Sequence, residues 1–469
     1  MNIRLIFILL LSAVPGFAQN LSQQIAKAYS AFETDPQLKY GVSSLTVLNA
    51  KTGEVLFSKN EDVGLASAST LKTVTAATAY YLLGSDFTWQ TTMGYTGRIE
   101  NGTLNGDIII KGGGDPTLGS WRYPGTKNEV VFNKWVEAIR QAGICKVNGK
   151  IIADDALFGS QTLPTGWSWQ DMGNYYGAGP NSLTWHENQF DLYFVPGSKV
   201  GDDATLVRTE PALAYLKIVN EVKTGRPGSG DNVYVYSAPY SEVIYLRGTY
   251  GIDLKKVIGG SVPDPAFELA ANLQDTLGKL NITVANAPST ARQLAFEKRN
   301  VPVIEKVLNV HTSPALSEVN YWFNQKSINL YGEHLLKTLA WKHGKQPATP
   351  EGVRVLQHFW KEKLGLDPDA INIMDGSGLS AGNRITTSAM ARILQSIKAE
   401  PWFASFYEGL PVYNNMKMKS GTINDVLGYT GYHTSSAGEP VVFSFLVNNY
   451  NGSASAVRQK MFKVLDTLK

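Results

Sequence analysis

Long hydrophobic patterns of fixed period crowd both ends of the chain and thin out between them, and no other feature restricts the fold as much. Near the amino end, Val42, Leu45 and Val47 lead into Asn49-Ala50-Lys51-Thr52-Gly53 and out through Val55 and Phe57. That alternation about a glycine-containing turn predicts a β-hairpin. A helical pattern follows over about residues 67–83. Near the other end, residues 428–434 and 440–448 flank Ser435-Ser436-Ala437-Gly438 as a second hairpin. Val457, Met461, Leu465 and Leu468 then recur at spacings of four, four and three, an amphipathic helix. Three further helices are legible before that hairpin. One starts at Ser327 with Ile328, Tyr331, Leu335 and Leu339 on one face, one begins Thr349-Pro350-Glu351, and one follows Thr386 or Thr387 with Met390, Ile393 and Ile397. From about 90 to 295 the chain instead shows glycine, proline and short alternating runs, punctuated by Gly112-Gly113-Gly114-Asp115-Pro116 and Arg226-Pro227-Gly228-Ser229-Gly230. The economical reading is a multi-domain α/β protein: residues 19–90 and 295–469 form one discontinuous domain, and residues 91–294 form a β-rich insertion of two nested subdomains.

Composition removes several function classes. At 469 residues with 43% hydrophobic and 18% charged side chains, the chain has ample material for packed cores. Lysine and arginine (43) nearly balance aspartate and glutamate (40), so the +3 net charge does not describe a nucleic-acid surface. Cys145 is the single cysteine, which excludes an intrachain disulfide and a thiolate zinc cage. The six histidines are scattered without an HExxH spacing, so neither a metal nor another cofactor is expected.

The amino terminus reads as an export signal. Arg4 precedes the apolar run Leu5 to Val14, and the small residues Gly16 and Ala18 follow it. Residues 1–18 are therefore expected to be a signal peptide, which places the protein in the periplasm. The run is too short for the ~18 apolar residues of a membrane helix, and no transmembrane anchor is expected.

Three short constellations could carry chemistry. Ser69-Thr70-Leu71-Lys72 opens the first long helix, and a spacing of three puts the amine within reach of the hydroxyl. The positive end of the helix disfavours an ammonium there, so Lys72 could serve as general base for Ser69. Ser327-Ile328-Asn329 opens a later helix, where a hydroxyl could relay a proton and an amide could grip a substrate amide. Lys419-Ser420-Gly421-Thr422 lies in an extended stretch, where a lysine with hydroxyls about a glycine suits a bound carboxylate. Each is cheap alone. Ser58-Lys59-Asn60 repeats the second pattern, while Lys51-Thr52-Gly53 and Lys223-Thr224-Gly225 repeat the third; Ser69 and Ser327 could simply cap helices.

Order supplies what the single motifs lack. Ser-x-x-Lys, then Ser-x-Asn, then Lys-Ser/Thr-Gly is the set found in serine β-lactamases and penicillin-binding proteins. The chain resembles the class C low-molecular-mass penicillin-binding proteins, the D-alanyl-D-alanine carboxypeptidase/endopeptidases of the penicillin-binding protein 4 type. The long insertion carries that resemblance, as do Gly112-Gly113-Gly114-Asp115-Pro116-Thr117-Leu118, Trp167-Ser168-Trp169-Gln170-Asp171 and Asp375-Gly376-Ser377-Gly378-Leu379-Ser380. Ser420 stands where many relatives have threonine, which keeps the hydroxyl.

The resemblance implies a transpeptidase-like catalytic domain with a central antiparallel sheet flanked by helices. It also implies peptidoglycan stem peptides ending in D-Ala-D-Ala as substrates, and β-lactam antibiotics as acylating inhibitors. Ser69 would be the nucleophile, Lys72 its base, and Ser327, Asn329 and Lys419 the remaining catalytic groups. Ser420, Gly421 and Thr422 would bind the terminal carboxylate. Asp171 would meet the free amine of the stem peptide's third residue; the alternative for Asp171 is a surface turn whose tryptophans anchor the insertion.

Three rivals remain. A β-lactamase shares the motifs but has no use for the insertion, and a non-catalytic wall-binding protein would keep the fold. An α/β-hydrolase is suggested by Gly378-Leu379-Ser380-Ala381-Gly382, with Asp425 and His433 downstream, yet that fold needs a helix directly after the serine.

Overall fold

The computed structural model describes residues 14–213 and 215–469. The expected signal peptide lies mostly outside them, and its last residues enter a helix, α1 (Val14–Glu33). Among the described residues, no helix is long and apolar enough to cross a membrane.

The two hairpins read from the sequence meet in one sheet. Its strands are β1 (Val42–Asn49), β2 (Val55–Lys59), β3 (Val412–Tyr413), β4 (Met416–Ile423), β5 (Val426–Thr434) and β6 (Pro440–Asn448), in the order β2-β1-β6-β5-β4-β3. Every neighbouring pair is antiparallel, and the closure runs through β1 against β6, with Val42 opposite Asn448 and Asn49 opposite Val441. All nine residues of β6 are buried because helices cover both faces. Alternation sorts them. Val441, Phe443, Phe445 and Val447 pack with Ile25, Tyr29 and Phe32 of α1 and with Met461 and Leu465 of the last helix. Val442 and Leu446 face the opposite layer.

That layer holds α2 (Lys72–Leu83), α3 (Leu316–Gln325), α4 (Asn329–Lys342), α5 (Thr349–Leu364) and α6 (Thr387–Ser396); α7 (Ala454–Leu465) lies beside α1. Helix α4 is buried around most of its circumference, which explains why its apolar periodicity is weak: Glu333, His334, Lys337 and Thr338 are as buried as Leu335 and Leu336. Thr386 caps α6 through the Ala389 N–H. For α5 the cap position falls to Ala348, with Thr349 and Pro350 inside the first turn.

The middle segment is rich in short strands, as expected, and also carries two long helices. Helices Asn128–Gln141 and Pro265–Lys279 pack on a sheet in which Ile108–Lys111 and Ile151–Asp154 run parallel. A parallel pair needs a crossover, and the helix between them provides it. Val131, Phe132, Trp135, Val136 and Ile139 mark its buried face, a signal present in the sequence. A second core, built from Phe190, Leu192, Val233, Val235, Ile244 and Leu246 among others, is the all-β portion. Strand Lys306–Thr312 pairs antiparallel with Gln90–Tyr95 and forms the edge of the sheet that holds Ile108–Lys111 and Ile151–Asp154.

The core around β6 generates a stability test. Phe445 is fully buried, with ring centroids 5.9 Å from Tyr29 and 5.2 Å from Phe32. Phe445→Ala should cost about 3–5 kcal/mol, read as a lower urea midpoint at unchanged slope.

Candidate active site

Ser69 lies one turn before the helix it was expected to open. Residues Ala68–Leu71 form a 3-10 turn, and the α-helix begins at Lys72. Ala68 is left-handed at φ +46°, a conformation that costs a non-glycine residue roughly 1–2 kcal/mol. Neighbours hold it there. The Asn448 amide at the end of β6 accepts from the Ala66 N–H and donates to the Ala66 carbonyl, both at 2.9 Å. Two glycines permit the close approach of other segments. A Cβ on Gly421 would sit 2.6 Å from the Ser67 carbonyl oxygen, and one on Gly378, at φ +84°, would collide with the Ala68 carbonyl. Gly421 thus brings strand β4 directly against the serine turn.

Lys72 is completely buried beneath that turn, and its amine has three neighbours: Ser69 Oγ at 2.9 Å, Asn329 Oδ1 at 2.6 Å and the Ser377 carbonyl at 2.6 Å. Two of these can only accept. Ser377 offers a carbonyl, and the Asn329 amide is oriented because its Nδ2 donates to the Tyr176 carbonyl at 2.8 Å. A neutral amine therefore spends both N–H bonds on Asn329 and Ser377, and its lone pair is left facing Ser69 Oγ. The neutral form is also favoured energetically. Burial holds Lys72 well below its ordinary value, the charge of Lys419 lowers it further, and Asp375 and Glu333 oppose both. The start of α2 adds a partial positive charge.

The other expected residues converge on the same place, apart from one. Ser69, Ser327, Asn329, Thr422 and Asp171 line a cleft of about 440 Å3. Ser327 is not a helix cap: it is left-handed at φ +56° in the link between α3 and α4, and Ile328 takes the cap position. Lys419 lies under the cleft, its Nζ donating to the Ser420 carbonyl at 2.8 Å, and burial pushes it down to about 7. Ser420 and Thr422, two apart on β4, lie on the same side of the strand. Thr422 forms part of the wall, whereas Ser420 is half-buried beyond it. Asp171, in the short helix Trp169–Met172, accepts from Ser168 Oγ at 2.7 Å and from the Tyr176 hydroxyl at 3.3 Å. Burial and the Asp171 charge raise the Tyr176 phenol, so it remains a donor.

A family model, D-Ala-D-Ala carboxypeptidase 3 (S13), matches residues 25–468. The chain belongs to this S13 family. It is 27% identical to the D-alanyl-D-alanine carboxypeptidase of Actinomadura sp. over 97% of this chain and 87% of that one. It is 22% identical to D-alanyl-D-alanine carboxypeptidase DacB of Haemophilus influenzae over 86% of this chain and 84% of that one. The fold matches the crystal structure of penicillin binding protein 4 from Haemophilus influenzae with a TM-score of 0.76 at 20% identity, covering 96% of this chain and 98% of that one. The mixed α/β, penicillin-binding architecture expected from the sequence is the one observed.

Several groups that shape the S13 site escape sequence reasoning. Asp375 is fully buried and accepts from the Gly378, Ser380 and Asn383 nitrogens at 2.8, 2.6 and 2.8 Å and from Trp167 Nε1 at 2.9 Å. It thereby ties the loop over Lys72 to the segment carrying Asp171, so Trp167 does anchor the insertion while Asp171 faces the cleft. The Asp375-Gly376-Ser377-Gly378 run is a local signal for such a loop, but nothing local reveals what it touches. The same structure removes Ser380 as a nucleophile. It is buried, its Oγ lies 3.6 Å from Met374 Sδ, and Ala381 to Asn383 form a turn, not a helix. Among the described residues, no group of three or more His, Cys, Asp or Glu side chains could hold a metal ion.

The electrostatics predict a direction for the pH profile. Removing the Lys419 charge in Lys419→Gln relieves the repulsion that lowers Lys72, so the acid limb of acylation by benzylpenicillin should move to higher pH. Lys72→Arg keeps the charge but cannot deprotonate, and stopped-flow acylation should slow by about 10²–10⁴-fold.

Proposed function

We propose that this S13 protein is an exported serine D-alanyl-D-alanine carboxypeptidase, with endopeptidase capacity, acting on peptidoglycan stem peptides through an acyl-enzyme. The observation that carries the reading is the Lys72 amine, buried and held by two obligate acceptors with its third contact on Ser69 Oγ. In this reading Lys72 takes the Ser69 proton as Oγ attacks the carbonyl of the penultimate D-alanine. The backbone N–H groups of Ser69 and Thr422 receive the developing oxyanion. Ser327 passes a proton to the leaving amine, with the nearby Lys419 charge lowering the cost of that transfer. Loss of D-alanine leaves an ester on Ser69, and water then hydrolyses it. Asn329 orients the acyl side, and Thr422 on the cleft wall holds the terminal carboxylate along the edge that Gly421 brings to the serine turn, with Ser420 beyond the wall on the same side of the strand. A β-lactam enters as a mimic of the dipeptide and leaves an ester that departs slowly.

The domain assignment follows the same logic. Residues 19–90 and the chain after Thr312 make the catalytic domain, and the segment between makes two nested subdomains, a division supported by their separate hydrophobic cores. Export to the periplasm is supported by the charged and then apolar residues at the amino terminus. Asp171 gives the site its specificity: a carboxylate fixed by Ser168 and Tyr176 on the cleft wall suits an ammonium on the stem peptide's third residue.

Two measurements test this. Intact-protein mass spectrometry after benzylpenicillin should show one adduct, mapping to the peptide with Ser69; Ser69→Ala should lose the adduct and D-alanine release, and Ser380→Ala should keep both. Labelling that survives Ser69→Ala contradicts the reading. For Asp171→Asn, kcat/KM should fall by about 10-fold or more on a diaminopimelyl-D-Ala-D-Ala peptide and barely change on its amine-acetylated analogue. Equal losses would mean that Asp171 supports the fold instead of reading the amine.

A further inference from the structure

Helix α4 carries a polar stripe that the proposed reaction only partly uses. Asn329, Glu333 and Lys337 are spaced by four, so they share a face, and all three are buried at 8, 0 and 1% exposure. Asn329 joins Lys72 to the Tyr176 carbonyl. Lys337 donates to the carbonyls of Phe158 at 3.2 Å and Gln161 at 2.6 Å, on the segment that leads to Asp171. Glu333 sits between them, and both its oxygens accept the Gly376 N–H at 3.1 Å. The other side of Gly376 is also held, since Thr75 Oγ1 donates to its carbonyl at 2.7 Å. The next carbonyl along the chain, that of Ser377, receives the Lys72 amine.

We propose that Glu333 is a positioning residue for acyl transfer: by fixing Gly376 it places the Ser377 carbonyl and so directs the Lys72 lone pair at Ser69. The proposal rests on the reading of Lys72 as the base for Ser69. Glu333 touches neither Ser69 nor the cleft wall, and it acts through the Gly376–Ser377 backbone. Charge gives it a second handle on the same amine. Lys72 from α2, Asp375 from the facing loop and Lys337 from its own helix are the charged groups around it, while Lys419 reaches Lys72 from β4. Burial and Asp375 push the Glu333 carboxyl up to about 8, and whatever anionic character it has favours the Lys72 ammonium.

The test is pre-steady-state acylation of the full chain by benzylpenicillin across pH. In Glu333→Ala the carbonyl loses its support, and misplacement of the base should slow the first-order acylation step by about 100-fold while the dissociation constant of the initial complex stays near wild type. Glu333→Gln keeps an accepting oxygen and should recover most of the rate. Its acid limb should lie at or below the wild-type pH, never above it, because no anion remains to stabilise the ammonium. An alanine variant that is fully labelled at Ser69 and acylates at the wild-type rate overturns the proposal. Should the alanine variant fail to fold, the glutamine variant decides: an acid limb displaced to higher pH, or a rate as low as that of Lys72→Arg, overturns it. A wild-type protein unlabelled at Ser69 would instead bring down the underlying reading and this proposal with it.

Discussion

The site is organised around the hydrogen-bond valence of one buried amine. Lys72 has room for three partners, and two of them, Asn329 Oδ1 and the Ser377 carbonyl, cannot donate. Once the amine is neutral its remaining electron pair has one direction left, toward Ser69. Each partner is fixed in turn by something that is not catalytic. Asn329 is oriented by the Tyr176 carbonyl of the insertion, and Ser377 belongs to a loop folded around the Asp375 carboxylate. The buried position of Lys72 therefore has a structural counterpart in almost every layer of the protein.

The central sheet contributes by what it brings close. Strand β4 approaches the serine turn because Gly421 has no side chain, and the same strand carries Lys419 under the cleft. Two buried lysines near one another are unfavourable for folding, since each burial disfavours charge and each charge disfavours the other. The antiparallel pairing of β1 with β6, sandwiched between α1 with α7 on one face and α2 with α6 on the other, is the apolar framework that tolerates this. Two segments of the site carry left-handed non-glycine residues, Ala68 beside Ser69 and Ser327 on the cleft wall.

Much of the framework is legible in local sequence because it rests on period. The hairpins at 42–59 and 426–448 and helix α7 alternate or repeat as their burial requires. The Ser69–Lys72 contact is legible too, since three residues of helical or 3-10 chain bring the two together. What resists reading is whatever depends on partners from elsewhere. Ser69 lies in a 3-10 turn because distant groups, Asn448 and Gly421, grip the preceding residues. Helix α4 has polar residues on a buried face because its partners are loop backbones more than 40 residues away in the chain, such as Gly376 for Glu333. The amphipathic helix at 128–141 was readable and was masked by the glycine and proline around it.

Proton transfer from Ser69 requires a neutral Lys72 amine. The most direct measurement is an NMR titration of protein carrying 13C at the lysine ε-carbons, with the Lys72 signal assigned by its absence in Lys72→Arg. Burial and Lys419 together require that signal to titrate well below the ordinary lysine value of 10.5. A Lys72 resonance that titrates at that ordinary value would show an ammonium at working pH, and an amine that cannot accept the Ser69 proton.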